Sequence, residues 1–224
     1  LVGSEMCIRD RVSIELNAVT DNPLVFLDDE NVISGGNFHG EPMALAFDFL
    51  GIACSEIADI SERRTERMVN AALSNGLTPF LTTEGGVNSG YMIVQYSAAS
   101  MVSENKVLAH PASVDSIPSS ANQEDMVSMG TTAARKAGWI VQNTLSVLAD
   151  ELLTACQGID IRRRLNTHGQ GISPVHQKVY DCVRKVADFY EVDRELWPDI
   201  KAVEKLVRSG ELLEIVRSTV ADFE

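Results

Sequence analysis

The chain predicts an all-α bundle of long helices with one small β-hairpin near the N-terminus. Three observations lead there. Apolar residues recur at alternating steps of four and three along several stretches. One further stretch is so apolar that a helix there has almost no polar face and belongs in the middle of a bundle. Only one pair of short β-prone runs interrupts the pattern, and no internal repeat or low-complexity run is present.

The β-prone runs are Leu24-Val25-Phe26-Leu27 and Val32-Ile33-Ser34, separated by the solvated, turn-forming residues Asp28 to Asn31. Gly35 and Gly36 end the hairpin, and Pro42 stands where a first helical turn tolerates a missing N–H. From Glu41, the positions Met43, Phe47, Leu50, Cys54 and Ile57 predict one face of a helix running to about Met68. Its last part, Ser61 to Arg67, is polar nearly all round and reads as solvated, with burial against charged partners as the alternative.

A second helix is expected from Asn88 or Ser89, both good N-caps, to about Ala109, ahead of Pro111. Tyr91 to Val102 supply its nearly continuous apolar surface. Val141, Leu145, Leu148, Leu152 and Ala155 predict a third long helix, and Val175, Val179, Cys182, Val186 and Phe189 a fourth that starts at Pro174. Arg162 to Gly171 form the polar link between them, and Trp197 to Val220 read as shorter helices broken at Ser209-Gly210.

With 224 residues, 45% of them hydrophobic and 23% charged, the chain suffices for a sizeable core and a folded, water-soluble body. Residues 12–224 are read as a single elongated helical domain. Leu1 to Arg11 begin without Met, carry no clear period and resemble a translated sequencing-adapter tail, so no function is read from them. A formal net charge of -13 disfavours nucleic acid and anionic membrane partners. Cys7, Cys54, Cys156 and Cys182 are widely scattered, which signals neither a disulfide framework nor a metal site and suits the cytoplasm.

His39, His110, His168 and His176 form no spaced ligand pair, and there is no nucleophile elbow or phosphate-cradling glycine loop. The densest polar cluster is Ser119-Ser120-Ala121-Asn122-Gln123-Glu124-Asp125. Physics alone reads it as a helix start. Ser120 and Gln123 make a capping box, and Glu124 and Asp125 lie in a first turn where carboxylates complement the helix dipole.

A resemblance gives the cluster a second reading. The run Ser119 to Gly130 resembles the histidine ammonia-lyase family, and so do Asn17 to Pro23, Ser34 to Pro42, Ser61 to Arg64, Ser103 to Lys106, Ala109 to Ser116 and Ala155 to Gly158, in the family's order. The match covers the chain from about Glu15 to near Asp160 and weakens after it. It implies a long-helix bundle of the ammonia-lyase/fumarase-like type. It also implies a carbon–nitrogen lyase that converts L-histidine to urocanate and ammonia, as a homotetramer whose active sites draw residues from several subunits. No external cofactor is implied. The electrophile of the family is a methylidene-imidazolone ring made from an Ala-Ser-Gly tripeptide, and that tripeptide occurs nowhere in this sequence. The resemblance therefore implies the C-terminal portion of such an enzyme, inactive alone, with the electrophile expected in an N-terminal part.

Residue by residue, Glu124 matches the family position that meets the substrate's side chain. Histidine-specific members carry Glu there, which can accept a hydrogen bond from imidazole N–H or exchange a proton with it; phenylalanine- and tyrosine-specific relatives usually carry Gln. Phe38 matches an aromatic that walls the pocket, and Asn122 and Gln123 are candidates to orient Glu124. His39 and His110 are assigned no chemical role and are expected to be buried, hydrogen-bonded structural residues. Met126 stands where many members have His. The alternatives are a tyrosine or phenylalanine ammonia-lyase or aminomutase, and a noncatalytic truncated subunit acting as an oligomerisation scaffold.

Overall fold

A computed structural model describes residues 2–165, 171–221 and 223, so that His168 and much of the predicted polar link lie outside the described residues. Helix α1 spans Val2–Leu16, and residues 7–16 are all exposed or half-buried. Strands β1 (Leu24–Phe26) and β2 (Asn31–Ile33) form the antiparallel hairpin, with Leu24 opposite Ile33 and Phe26 opposite Asn31. The side-chain oxygen of Asn22 closes its base by accepting from Ser34 Oγ at 2.9 Å and from the Gly35 N–H at 3.1 Å.

The helices that follow are α2 (Glu41–Val69), α3 (Met92–Leu108), α4 (Gly130–Arg164), α5 (Pro174–Arg184), α6 (Trp197–Ser209) and α7 (Glu211–Arg217). No helix among the described residues is long and apolar enough to cross a membrane. The chain divides into two compact units, Leu1–Glu56 with Glu104–Gln142, and Ile57–Ser103 with Asn143–Glu224.

The first unit has a small core of Ala44, Ala112 and Ala133, with Phe47 and Met129 packed against it. Small side chains let backbones come close, and Gly51 meets the tip of Ile140 in the same way. Asp48 on α2 ties this unit together: its carboxylate accepts the Ser113 N–H at 2.7 Å and pairs with Lys136 of α4 at 3.1 Å. Burial works against the charge on Asp48, but the Ser113 and Lys136 bonds outweigh it and hold the carboxyl below its ordinary range.

The second unit holds the larger core, built on Leu81, Tyr91, Val94, Leu153, Ile161, Val183 and Val203. Tyr91 meets Tyr190 edge-on, with ring centres 5.6 Å apart. A smaller cluster gathers Ala58, Ala98, Val102 and Val147.

The polar end of α2 corrects one expectation: Ser61, Glu62 and Thr65 are buried, not solvated. Partners explain the difference. Ser61 Oγ donates to Glu151 at 2.6 Å, Arg64 pairs with the same carboxylate, and Glu62 accepts from Arg63 at 2.6 Å and Gln95 at 2.7 Å. Buried carboxylates persist where such donors surround them.

Helix α3 also begins later than expected, at Met92, because its start is set by a distant residue. The Asp193 carboxylate accepts the N–H groups of Ser89 at 2.7 Å and Gly90 at 3.0 Å, while Asn88 Oδ1 accepts the Asp193 N–H at 2.9 Å. Gly90 has φ +59, and a Cβ there would stand 2.4 Å from the Phe80 carbonyl oxygen, so a close approach requires glycine.

In α4 the buried stripe is Ile140, Thr144, Val147, Asp150, Thr154, Gln157 and Ile161, whereas the apolar face predicted from Val141 to Ala155 is half-buried. Apolar counting alone passes over a stripe that includes hydrogen-bonded polar residues. Helix α5 is short, 11 residues capped by Ser173, and ends before Val186 and Phe189. The break between α6 and α7 falls at Gly210, with φ +77, as expected.

Candidate active site

Two segments of the first unit meet at the family-matched residues. The first begins at the hairpin base and runs through Gly35 and Gly36 into a single 3-10 turn, Asn37–His39. Gly40, at φ +76, reverses the chain into α2, a conformation that glycine adopts without steric cost. Phe38 on this turn is 39% exposed, and its ring centre lies 4.2 Å from that of His39. A Cβ placed on Gly35, Gly36 or Gly40 would meet nothing within 4 Å, so the turn has open flanks.

The second segment is Ser119 to Glu124, and here the expected helix start is overturned. Ser119 is extended, Ser120, Ala121 and Asn122 have φ of +52, +54 and +73, and α4 begins only at Gly130. A right-handed helix cannot contain three such residues in succession. The turn is instead closed by an antiparallel bridge, with the Ser119 N–H donating to the Glu124 carbonyl at 2.9 Å. Ser120 and Gln123 form no capping box, although the Gln123 N–H donates to the Ser120 carbonyl at 3.1 Å. Glu124 therefore owes nothing to a helix dipole. Left-handed conformations at residues other than glycine cost on the order of 1–3 kcal/mol each and concentrate at functional sites.

Glu124 points back at the first segment. Its Oε2 accepts from Ser119 Oγ at 2.7 Å and lies 3.5 Å from His39 Nε2. His39 thus links Phe38, whose ring it packs against, to Glu124. The chain beyond Glu124 docks on the same turn: Ser128 Oγ donates to the His39 carbonyl at 2.6 Å, and Gly130 lies so close that a Cβ would be 3.2 Å from that carbonyl and 3.1 Å from that of Gly40. The Val127 N–H donates to Ser116 Oγ at 3.0 Å, joining the loop to the segment held by Asp48.

Of the residues singled out from sequence, Phe38 and Glu124 are brought together through His39. Asn122 and Gln123 are exposed and contribute backbone bonds to the turn. Met126 is 62% exposed. His110 is exposed rather than buried, its carbonyl accepting from Lys136, and His176 is exposed beside Ser173 at the start of α5. His39, with a side chain 19% exposed, and Ser119 are the contacts that sequence reasoning missed. The available signal was their place within the two matched blocks. Among the described residues no group of three or more His, Cys, Asp or Glu side chains could hold a metal ion.

Comparison with known proteins gives this geometry a context. Residues 6–185 match the family model for aromatic amino acid lyases. Histidine ammonia-lyase 1 of Fusobacterium nucleatum is 56% identical over 217 residues, covering 97% of this chain and 41% of the relative. The crystal structure of histidine ammonia-lyase from Trypanosoma cruzi superposes with a TM-score of 0.89 at 47% identity, covering 98% of this chain and 43% of that one. Tyrosine aminomutase from Streptomyces globisporus reaches the same TM-score of 0.89 at 36% identity, over 99% of this chain and 41% of that one. The chain thus spans about two-fifths of the length of these proteins. With the matched model and these relatives together, the chain belongs to the aromatic amino acid lyase family.

Proposed function

We propose that the chain is part of a histidine ammonia-lyase subunit, a carbon–nitrogen lyase that eliminates ammonia from L-histidine to give urocanate, with Glu124 meeting the substrate's imidazole and Phe38 walling the pocket. The observation that carries this reading is the convergence of Phe38, His39 and the partly exposed Glu124 carboxylate at the 3.5 Å contact between His39 and Glu124. The identity of 56% to a histidine ammonia-lyase supports the same substrate.

A carboxylate suits imidazole better than a phenyl ring. Imidazole N–H donates to it, whereas a hydrocarbon ring would desolvate the charge without offering a partner. Backbone similarity does not separate the two, because a tyrosine aminomutase superposes as well as a histidine ammonia-lyase. The carboxylate at position 124 supports the histidine reading.

The electrophile belongs to a different stretch of polypeptide, since no Ala-Ser-Gly occurs here. The exposed Phe38 ring and the open flanks of Gly35, Gly36 and Gly40 suit a turn against which a group from elsewhere packs. The electrophile's ring would supply an electron-poor acceptor that eases departure of ammonia. The residues of this chain bind and orient the imidazole, and Glu124 can exchange a proton with it. The reading extends to a cytoplasmic homotetramer with shared active sites, in which residues 12–224 form one helical portion of the subunit.

The test is to express the complete reading frame and offer it histidine, tyrosine and phenylalanine while following urocanate or cinnamate-type absorbance. Urocanate is expected, and Glu124→Gln should lower histidine turnover by orders of magnitude. Cinnamate-type product without urocanate would sink the histidine assignment, and unchanged turnover in Glu124→Gln would show that a different carboxylate meets the substrate.

A further inference from the structure

We propose that His39 and Ser119 are positioning residues for Glu124: they occupy Oε2 from within the protein and leave Oε1 as the oxygen presented to the substrate. The inference rests on the reading of Glu124 as the imidazole contact and adds what aims it.

A glutamate side chain has three rotatable bonds, and fixing a partly exposed one sacrifices rotamer entropy. Something must hold it if its carboxylate is to meet one N–H of a small ring in one geometry. Two groups converge on one oxygen. Ser119 Oγ–H donates to Oε2 at 2.7 Å, and His39 Nε2 lies 3.5 Å from the same atom. No hydrogen bond from the described residues reaches Oε1.

Both groups are themselves fixed. Ser119 is bridged to Glu124 through the main chain in both directions, N–H to carbonyl at 2.9 Å and back at 3.4 Å, so its hydroxyl travels with the turn. The His39 ring lies against Phe38, and its carbonyl is gripped by Ser128 Oγ at 2.6 Å and faced closely by Gly130. The left-handed run at Ser120 to Asn122 folds the chain back so that residues 119 and 124 face each other. Asn122 and Gln123, the residues expected from sequence to orient Glu124, shape that run through their backbones, while the side-chain contacts come from Ser119 and His39.

The test uses the complete lyase with five variants: Glu124→Gln, Ser119→Ala, His39→Leu, His39→Gln, and His39→Leu combined with Glu124→Gln. Ser119→Ala and His39→Leu are each expected to lower kcat/KM for histidine by about tenfold, whereas His39→Gln, whose amide can donate to the same oxygen, recovers most of that loss. In the Glu124→Gln background His39→Leu should cost less than about twofold, because the group it orients is already altered. Equal losses in both backgrounds, or no loss on His39→Leu and Ser119→Ala while Glu124→Gln cripples the enzyme, would overturn the positioning role and leave the Glu124 assignment standing. Normal histidine turnover in Glu124→Gln would instead remove that assignment itself. Ser119→Ala deletes a single oxygen, so it remains informative if His39→Leu fails to fold.

Discussion

Two turns in this chain use the same unfavourable backbone and use it differently. In the second unit, Phe80 and Leu81 both have φ +54; in the first, Ser120, Ala121 and Asn122 have φ between +52 and +73. The Phe80–Leu81 turn is held by the surrounding core. Leu81 is fully buried, its carbonyl accepts from Gln157 Nε2 at 3.2 Å, and the Phe80 carbonyl accepts the Tyr91 N–H at 2.8 Å. Gln157 also clasps Tyr190, donating to its carbonyl at 2.8 Å and accepting its N–H at 3.1 Å. The Ser120–Asn122 turn is exposed and held across its ends by the Ser119–Glu124 bridge. One strained turn closes a core, and the other ends on a carboxylate aimed out of the backbone. Substitutions at the first should register as stability, and those around the second as turnover.

The largest stability effect expected is at Gln157. Gln157→Leu keeps the volume roughly constant but leaves two carbonyls and one N–H buried without partners, which should destabilise the fold by about 4 kcal/mol. A urea denaturation midpoint measures it. A cost below about 1 kcal/mol would mean that water or a rearranged neighbour replaces the amide, and the contrast between the two turns would lose its physical basis.

How much of this was legible in the sequence follows from the range of the interactions. The hairpin, the start of α2 at Glu41, the Ser173–Pro174 start of α5 and the Gly210 break depend on neighbours a few residues away, and composition displayed them. The buried stripe of α4 was hidden because Asp150, Thr154 and Gln157 look like surface residues until their surroundings are known. Ser119 to Asp125 failed for a sharper reason. Its local chemistry spells a capping box, yet the loop is closed by a bridge and docked on His39, and those contacts override local propensity. The candidacy of Glu124 rests on family resemblance, while the Ser119 and His39 contacts to it became visible only in three dimensions.

Asp150 extends the contrast to pH. It is fully buried in the second unit, and neither carboxylate oxygen has a hydrogen-bond partner among the described residues. Burial first, then the nearby Glu204 carboxylate, push its pKa up to about 8, with Lys201 opposing. The folded chain then keeps a proton that the unfolded chain releases above its ordinary value of 3.8. Asp150 accordingly favours the fold below that value, and its contribution is lost as pH rises toward 8, by at most about 1.4 kcal/mol per pH unit. Asp150→Asn should flatten this part of the stability–pH curve and make the variant more stable than its parent at the alkaline end. Denaturation midpoints measured from pH 4 to pH 8 decide the matter, and an unchanged slope would place the charge-bearing group elsewhere.

The smallest effect separates the turns most cleanly. Ala121 has φ +54 and is exposed, so its conformation costs roughly 1 kcal/mol that glycine would not incur. Glycine's greater freedom in the unfolded chain takes back a similar amount. Ala121→Gly should therefore change stability by less than about 0.5 kcal/mol and leave histidine turnover near that of the parent, since the Ser119 and His39 contacts to Glu124 are untouched. If turnover falls severalfold while stability holds, the rigidity of Ala121 itself helps aim Glu124, and the bridge is not sufficient to hold the turn. If stability falls by more than about 1 kcal/mol, the exposed turn is braced by its side chains, as the buried one is by Gln157, and the distinction between the two turns disappears.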